Sequence, residues 1–357
     1  MDAKVLLGEL VEKGVADVFV LAGKPISYKQ GTQIEQLNDH VLSPSDTREI
    51  ISQIYEMAED RSMETILKQG DDDFSFAIKG LSRFRVNTYK QRGSLAAVIR
   101  VVAFDLPEPE GLHIPQSVLE LTELRRGLVL ITGPAGSGKT TTLACLIDRI
   151  NAQRNAHVIT LENPIEFLHR HKESLISQRE VNIDTANYAT ALRAALRESP
   201  DVILIGELRD PETISIALTA AETGHLVLST LHTVGAVNTV DRLVDSFPAE
   251  QQAQVRMQLS MVLQSVISQQ LLPTSDGSMI PAFEIMHCNN AVRNLIREGR
   301  THQMSAVINT AAAEGMIGMD ACLLGLYQSG KISAQDMITH ALAPETLAKQ
   351  AGLEGFK

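Results

Sequence analysis

The chain has 357 residues, 44% hydrophobic and 21% charged, a globular composition that excludes disordered, collagen-like and coiled-coil chains and a length that suits about two domains. Acids outnumber bases 43 to 32, the net charge is −11, Trp is absent and aromatics are 4%, so a general nucleic-acid binder and a base-stacking surface are both disfavoured. No apolar run reaches the roughly 18 residues of a membrane span, and the N-terminus lacks the basic start of a signal peptide, which points to the cytoplasm.

Ser45 to Gln69 has a helical pattern, and Asp73 to Ile78, Phe84 to Tyr89 and Leu95 to Ala103 read as strands, which makes residues 1–104 a small α+β domain. Three prolines and a glycine in Asp105-Leu-Pro-Glu-Pro-Glu-Gly-Leu-His-Ile-Pro115 mark a linker and a hinge over residues 105–115. Beyond it, strands at Leu128 to Thr132, Val158 to Leu161, Val202 to Ile205 and Leu226 to Thr230 alternate with helices near Lys139 to Ala152, Ala186 to Arg197 and Pro211 to Glu222. Apolar strands between helices predict an α/β fold, a mainly parallel sheet covered on both faces. From about Pro248 the chain reads as helical, with Val255, Leu259, Val262, Leu263, Val266 and Ile267 as a core-facing stripe.

Gly133-Pro134-Ala135-Gly136-Ser137-Gly138-Lys139-Thr140 satisfies GxxxxGK[ST] between a predicted strand and a predicted helix. Its backbone N–H groups can wrap a phosphate at a helix N-terminus, Lys139 can neutralise the β and γ phosphates, and the Thr140 hydroxyl can bind magnesium; Thr141 continues the candidate nucleotide site. No Asn-Lys pair occurs to start a guanine-reading motif, which favours ATP. The strand ending at Ile205 runs into Gly206-Glu207, where glycine replaces the usual Walker B aspartate and leaves Glu207 as candidate base. Glu162-Asn163-Pro164-Ile-Glu166 follows another strand and offers acids to magnesium or the γ phosphate. His232 follows a fourth strand and is a candidate γ-phosphate sensor. His225, about 23 Å away at the other strand end, cannot share a metal with it and reads as structural or interfacial, while His169 and His171 have no evident third ligand.

With these four segments in order, the chain resembles the secretion and pilus motor ATPases of the additional-strand RecA-like superfamily, most closely the type IV pilus retraction (PilT-type) family. The matching boxes are the Walker A loop, the Asp box Ile159-Thr-Leu-Glu-Asn-Pro-Ile-Glu166, the atypical Walker B at Asp201 to Asp210 and the His box at Thr223 to Thr233. Ala291-Val-Arg-Asn-Leu-Ile-Arg-Glu298 departs only at Val292 from the retraction signature. Cys145, Cys288 and Cys322 are scattered; they fit a reducing cytoplasm and cannot supply the four-cysteine zinc motif typical of extension and type II secretion relatives. The resemblance implies a PAS-like N-terminal domain (1–104), a RecA-like ATPase domain with C-terminal helices (116–357), a homo-hexamer with ATP and Mg2+ between subunits, and a place at the cytoplasmic face of the membrane on a pilus platform protein. It also implies that Arg83, Arg85 and Arg100 act in trans, with Glu162 and Thr140 at the metal. Asn163 replaces the family's aspartate, and Asp17-Val-Phe-Val20 matches weakly. A related extension or secretion motor, a nucleic-acid translocase and a non-hydrolysing accessory ring are the alternatives.

Overall fold

The computed structural model describes residues 2–30, 33–58, 61–102, 106, 109, 111–275 and 277–353. Two compact units emerge, one of Met1–Asp105 with Glu166–Leu168 and one of Leu106–Ile165 with His169–Lys357. Much of the expected linker (Asp105, Pro107, Glu108, Glu110) lies outside the described residues, as does Ala103 at the end of the expected third strand.

In the first unit, strands β1 (Asp17–Val20), β2 (Ser27–Gln30), β3 (Gln33–Gln36), β4 (Asp71–Ile78), β5 (Ser82–Gln91) and β6 (Ser94–Val102) form one sheet in the order β3-β2-β1-β6-β5-β4. Every pair is antiparallel. The helices α1 (Ala3–Glu12) and α2 (Pro44–Met57) bury Leu7, Leu10, Ile50, Ile51 and Ile54 in a core with Val18, Phe84 and Ile99. The helix expected from Ser45 to Gln69 is two helices, because α3 (Glu64–Gln69) starts anew. Between them Arg61 pairs with the buried Asp72, which also accepts from Tyr55 Oη at 2.9 Å, and the Ser62 hydroxyl accepts from Glu64 N at 3.2 Å. A buried carboxylate needs such partners, and supplying them takes the chain off the helical path.

The second unit is built on β7 (Gly127–Thr132), β8 (His157–Glu162), β9 (Leu175–Glu180), β10 (Val202–Ile205), β11 (Leu226–Leu231), β12 (Leu263–Pro273) and β13 (Met279–His287), ordered β13-β12-β7-β11-β10-β8-β9. All neighbours are parallel except β12 and β13. Its helices are α4 (Gln116–Leu119), α5 (Lys139–Gln153), α6 (Tyr188–Ala195), α7 (Pro211–Glu222), α8 (Ala236–Asp245), α9 (Ala249–Val262), α10 (Asn290–Glu298), α11 (Met304–Thr310), α12 (Met319–Gln328), α13 (Ala334–His340) and α14 (Pro344–Gln350). Successive strand residues point to opposite faces. Leu128, Leu130, Ile203 and Ile205 accordingly join the core with α6 to α10, whereas Val129, Ile131, Val202 and Leu204 join the core with α5.

The apolar stripe beyond Val262 is a correction. Val255, Leu259 and Val262 are buried on α9, but Leu263, Val266 and Ile267 belong to β12. A strand buried on both faces has no period-two signal, so its apolar spacing passes for a helix. On β12, Gln270 Nε2 donates to the His340 carbonyl at the end of α13, at 3.0 Å.

Glu284 on β13 is 5% exposed. Its carboxylate accepts from Ala236 N (2.6 Å) and Met319 N (3.4 Å), the first residues of α8 and α12. Burial pushes its pKa up against those two bonds. A raised folded pKa gives stability that is complete below the unfolded value and is lost as pH rises through the folded one. The Tm of Glu284→Gln minus that of the parent is therefore expected to grow as pH rises above the ordinary value of 4.5; a constant difference in thermal melts across that range would disprove it.

Candidate functional site: a phosphate loop at one sheet edge

Strands β7, β8, β10 and β11 run parallel in register, with Thr132 beside Leu231, Ser229 beside Ile205, and Ile205 beside Leu161. The segments that follow them, beginning at Gly133, Asn163, Gly206 and His232, thus leave the sheet on one edge. This is the edge at which open α/β sheets hold ligands.

The phosphate loop passes from β7 into α5, whose first residue is Lys139. Gly133 has φ 142°, and a Cβ there would lie 2.0 Å from the Gln269 carbonyl oxygen, so only glycine fits. Gln269, buried on β12, also accepts from Thr142 Oγ1 at 2.8 Å, and its Nε2 lies 2.8 Å from where a Gly138 Cβ would stand. One residue, through its backbone carbonyl and its side-chain amide, therefore touches both ends of the loop's glycine frame. Lys139, 7% exposed, donates to the carbonyls of Gly133 (2.9 Å) and Pro134 (2.8 Å), which curls the loop around its ammonium. Ser137 is 2% exposed and its Oγ is buried without a hydrogen-bond partner. Such an orphaned buried hydroxyl fits a phosphate oxygen as its partner. Pro134, Ala135 and Gly136 are exposed, and Thr140 and Thr141 are half-buried in the first turn of α5.

His232 joins this loop to the acid. Its Nδ1 lies 3.5 Å from Lys139 Nζ and its Nε2 lies 3.5 Å from Glu207 Oε1, while Glu207 Oε2 accepts from Arg209 Nε at 2.6 Å. Glu162 is also buried, and its Oε1 accepts from Thr160 Oγ1 (2.6 Å) and Gln178 Nε2 (3.2 Å). Asn163 is exposed. The Thr140 hydroxyl and Glu162 carboxylate are hard oxygen donors suited to Mg2+, which keeps most of its waters and takes few protein ligands.

Other expected positions resolve differently. His225 precedes β11, and its Nδ1 lies 2.9 Å from the Ala220 carbonyl, a structural bond. Burial drives the His169 pKa down to about 4, and His171 Nδ1 accepts from Ile176 N at 3.0 Å. Among the described residues no group of three or more His, Cys, Asp or Glu is placed to hold a metal ion. Arg293, from the signature segment, donates to the carbonyls of Ser260 (2.7 Å) and Met261 (3.0 Å), closing the C-terminus of α9. In the first unit, Arg85 and Arg100 are cross-strand partners on β5 and β6, and Arg83 is two residues before Arg85 on the same face. Arg85 pairs with Asp73 and Arg100 with Asp17, both at 2.8 Å.

The type II/IV secretion system protein family matches residues 4–341. The chain belongs to that family. Among relatives in the type II/IV secretion system protein family, it is 44% identical over 345 residues to the type IV pilus retraction ATPase PilT of Pseudomonas aeruginosa, covering 97% of this chain and 99% of that one. A twitching motility protein of Neisseria gonorrhoeae is 50% identical over 277 residues, 77% of this chain and 74% of the relative. The crystal structure of the pilus retraction motor PilT with bound ADP superposes with a TM-score of 0.90 at 43% identity, covering 97% and 98% of the two chains. The expected fold class, an α+β N-terminal part with a RecA-like ATPase fold, agrees with this likeness to a solved family member.

Gln269, Arg209 and Gln178 were not singled out from the sequence. Gln269 lies on the strand read as helix, and no motif marks a residue that acts by holding a loop from behind.

Proposed function

We propose that the chain is the ATP-hydrolysing motor of type IV pilus retraction, driving twitching motility as a homo-hexamer with ATP bound between subunits. The observation that carries this is the contact series from Lys139 through His232 to Glu207 beside the phosphate loop, in a chain 44% identical to a retraction ATPase over 97% of its length. The loop from Gly133 to Thr141 wraps the phosphates and Lys139 turns to the β and γ oxygens. Thr140 and Glu162 would hold Mg2+, which would supply charge neutralisation at the phosphates. Glu207 takes a proton from water as its oxygen attacks the γ phosphorus, and the bond to the bridging oxygen breaks to leave ADP and phosphate. His232, between Lys139 and Glu207, reports whether the γ phosphate is present.

Arg83, Arg85 and Arg100 of a neighbouring subunit would approach the transferring phosphoryl group, exchanging Asp73 and Asp17 for it. Exposed ion pairs are weak enough to be surrendered for a multiply charged anion. The hinge at Asp105 to Pro115 turns each cycle into rigid-body motion delivered to an inner-membrane platform protein from the cytoplasmic face. No described helix is long and apolar enough to cross a membrane, in keeping with peripheral association. The net charge of −11 favours a protein track over a nucleic-acid one.

Deleting the gene should leave hyperpiliated cells that do not twitch; bald cells would instead identify an extension motor. Mixing Arg85→Ala subunits with Lys139→Ala subunits should restore part of the ATP turnover, because wherever the loop of an Arg85→Ala subunit faces the arginines of a Lys139→Ala subunit, an intact loop meets an intact arginine. Failure of the mixture to regain activity would rule out the site between subunits.

A further inference from the structure

The glycine at the Walker B position has a structural counterpart. A Cβ at Gly206 would lie 2.8 Å from the Tyr188 hydroxyl, 3.3 Å from the Leu161 carbonyl oxygen and 3.5 Å from Glu162 Cα. The phenol thus occupies the space into which an aspartate side chain at 206 would project. Tyr188 is the first residue of α6, and that start is fixed by the Asn187 side chain, which accepts from Thr190 N at 2.8 Å. The phenol lies within electrostatic reach of Glu162 at the end of β8 and of Glu207 and Arg209 after β10; beyond Glu207 lie His232 and Lys139.

We propose that the Tyr188 hydroxyl is a positioning group of the ATP site, a neutral hydrogen-bond donor standing where the Walker B carboxylate would be, and that Gly206 is the room kept for it. This rests on the ATPase reading above. The chemistry favours the exchange. Glu162 and Glu207 already bring two carboxylates to this edge, and an aspartate at 206 would add a third, with like-charge repulsion in a half-buried setting. A phenol fills the same space without charge. Burial pushes its pKa up to about 12, with Arg209 opposing the rise and Glu207 and Glu162 adding to it, so its proton stays available to an acceptor throughout the working pH range. A donor beside the carboxylates orients them, and the water between them, for proton transfer from the attacking water.

Tyr188→Phe keeps the ring and removes only the hydroxyl. Its kcat is expected to fall about tenfold, the size of one hydrogen bond made in the transition state, while binding of a fluorescent ADP analogue stays within about twofold. The acid limb of the kcat profile should move to higher pH by roughly half a unit, since a lost donor makes a carboxylate hold its proton more tightly. An unchanged kcat and acid limb would overturn the role. The contact itself is read by melting temperature: Gly206→Ala should lower Tm in the parent and cost less than half as much in the Tyr188→Phe background. An equal penalty in both backgrounds would show that Gly206 is not kept for the phenol. A parent protein without ATP turnover would overturn the proposed function, and the melting cycle would still judge the contact.

Discussion

Glu207→Gln is expected to lower ATP turnover by about 10²- to 10⁴-fold, the range for removal of a general base. The variant keeps the shape of the side chain, and its amide can still accept from Arg209 Nε, which lies 2.6 Å from the parental Oε2. What it loses is the ability to take a proton. Lys139 does not replace it, because its ammonium already donates to the Gly133 and Pro134 carbonyls, and His232, 3.5 Å from both Lys139 Nζ and Glu207 Oε1, is assigned to sensing the γ phosphate. Nucleotide affinity, measured with a fluorescent ADP analogue, should be retained, since the phosphate loop is untouched. Retention of more than a tenth of parental steady-state turnover would remove Glu207 from the role.

Gly133→Ala is expected to damage the protein before chemistry is reached. The new methyl carbon would lie 2.0 Å from the Gln269 carbonyl oxygen and 2.8 Å from Ser137 Oγ, on a backbone held at φ 142°. The first obstacle is the main chain of a buried strand paired on both sides, so it cannot swing away. A loss of about 4 kcal/mol or more is expected, at the upper end for a single substitution, together with loss of nucleotide binding. Gly136→Ala is the internal comparison. Its φ is 77° but nothing lies within 4 Å of the added carbon, so only the left-handed backbone strain of about 1–2 kcal/mol applies. Similar Tm losses for the two variants would mean that Gln269 yields and the packing argument is wrong.

The contrast between these two sites explains what the sequence made legible. Motifs spaced along the chain could be placed, because each follows a buried strand and the strands are parallel: Lys139, Glu207 and His232 were assignable to one edge before any coordinate. Within the second unit the helix expected from Pro211 to Glu222 has those bounds, being closed by a proline start and followed by Thr-Gly. The residues that shape the edge were not legible. Gln269 acts through its carbonyl and its amide on three positions more than a hundred residues earlier, and such long-range packing leaves no local period. Tyr188 reads as an ordinary helix-start aromatic until Gly206 is found against its hydroxyl. The helix expected from Ser45 to Gln69 is overextended for the same reason, since the partner that diverts Arg61 is Asp72, which lies just before the strand expected from Asp73 and carries no local sign of its burial.

Two neighbouring side chains on β12 carry a mechanical consequence. Gln269 holds the phosphate loop through Thr142, and Gln270, one residue on, holds the end of α13 through the His340 carbonyl. Successive residues of a strand face opposite ways, so β12 is a crossbar gripped on one side by the nucleotide loop and on the other by the C-terminal helices, with a single peptide unit between the grips. In the proposed motor, a shift of the loop on phosphate binding and a shift of those helices would meet on the same short length of backbone.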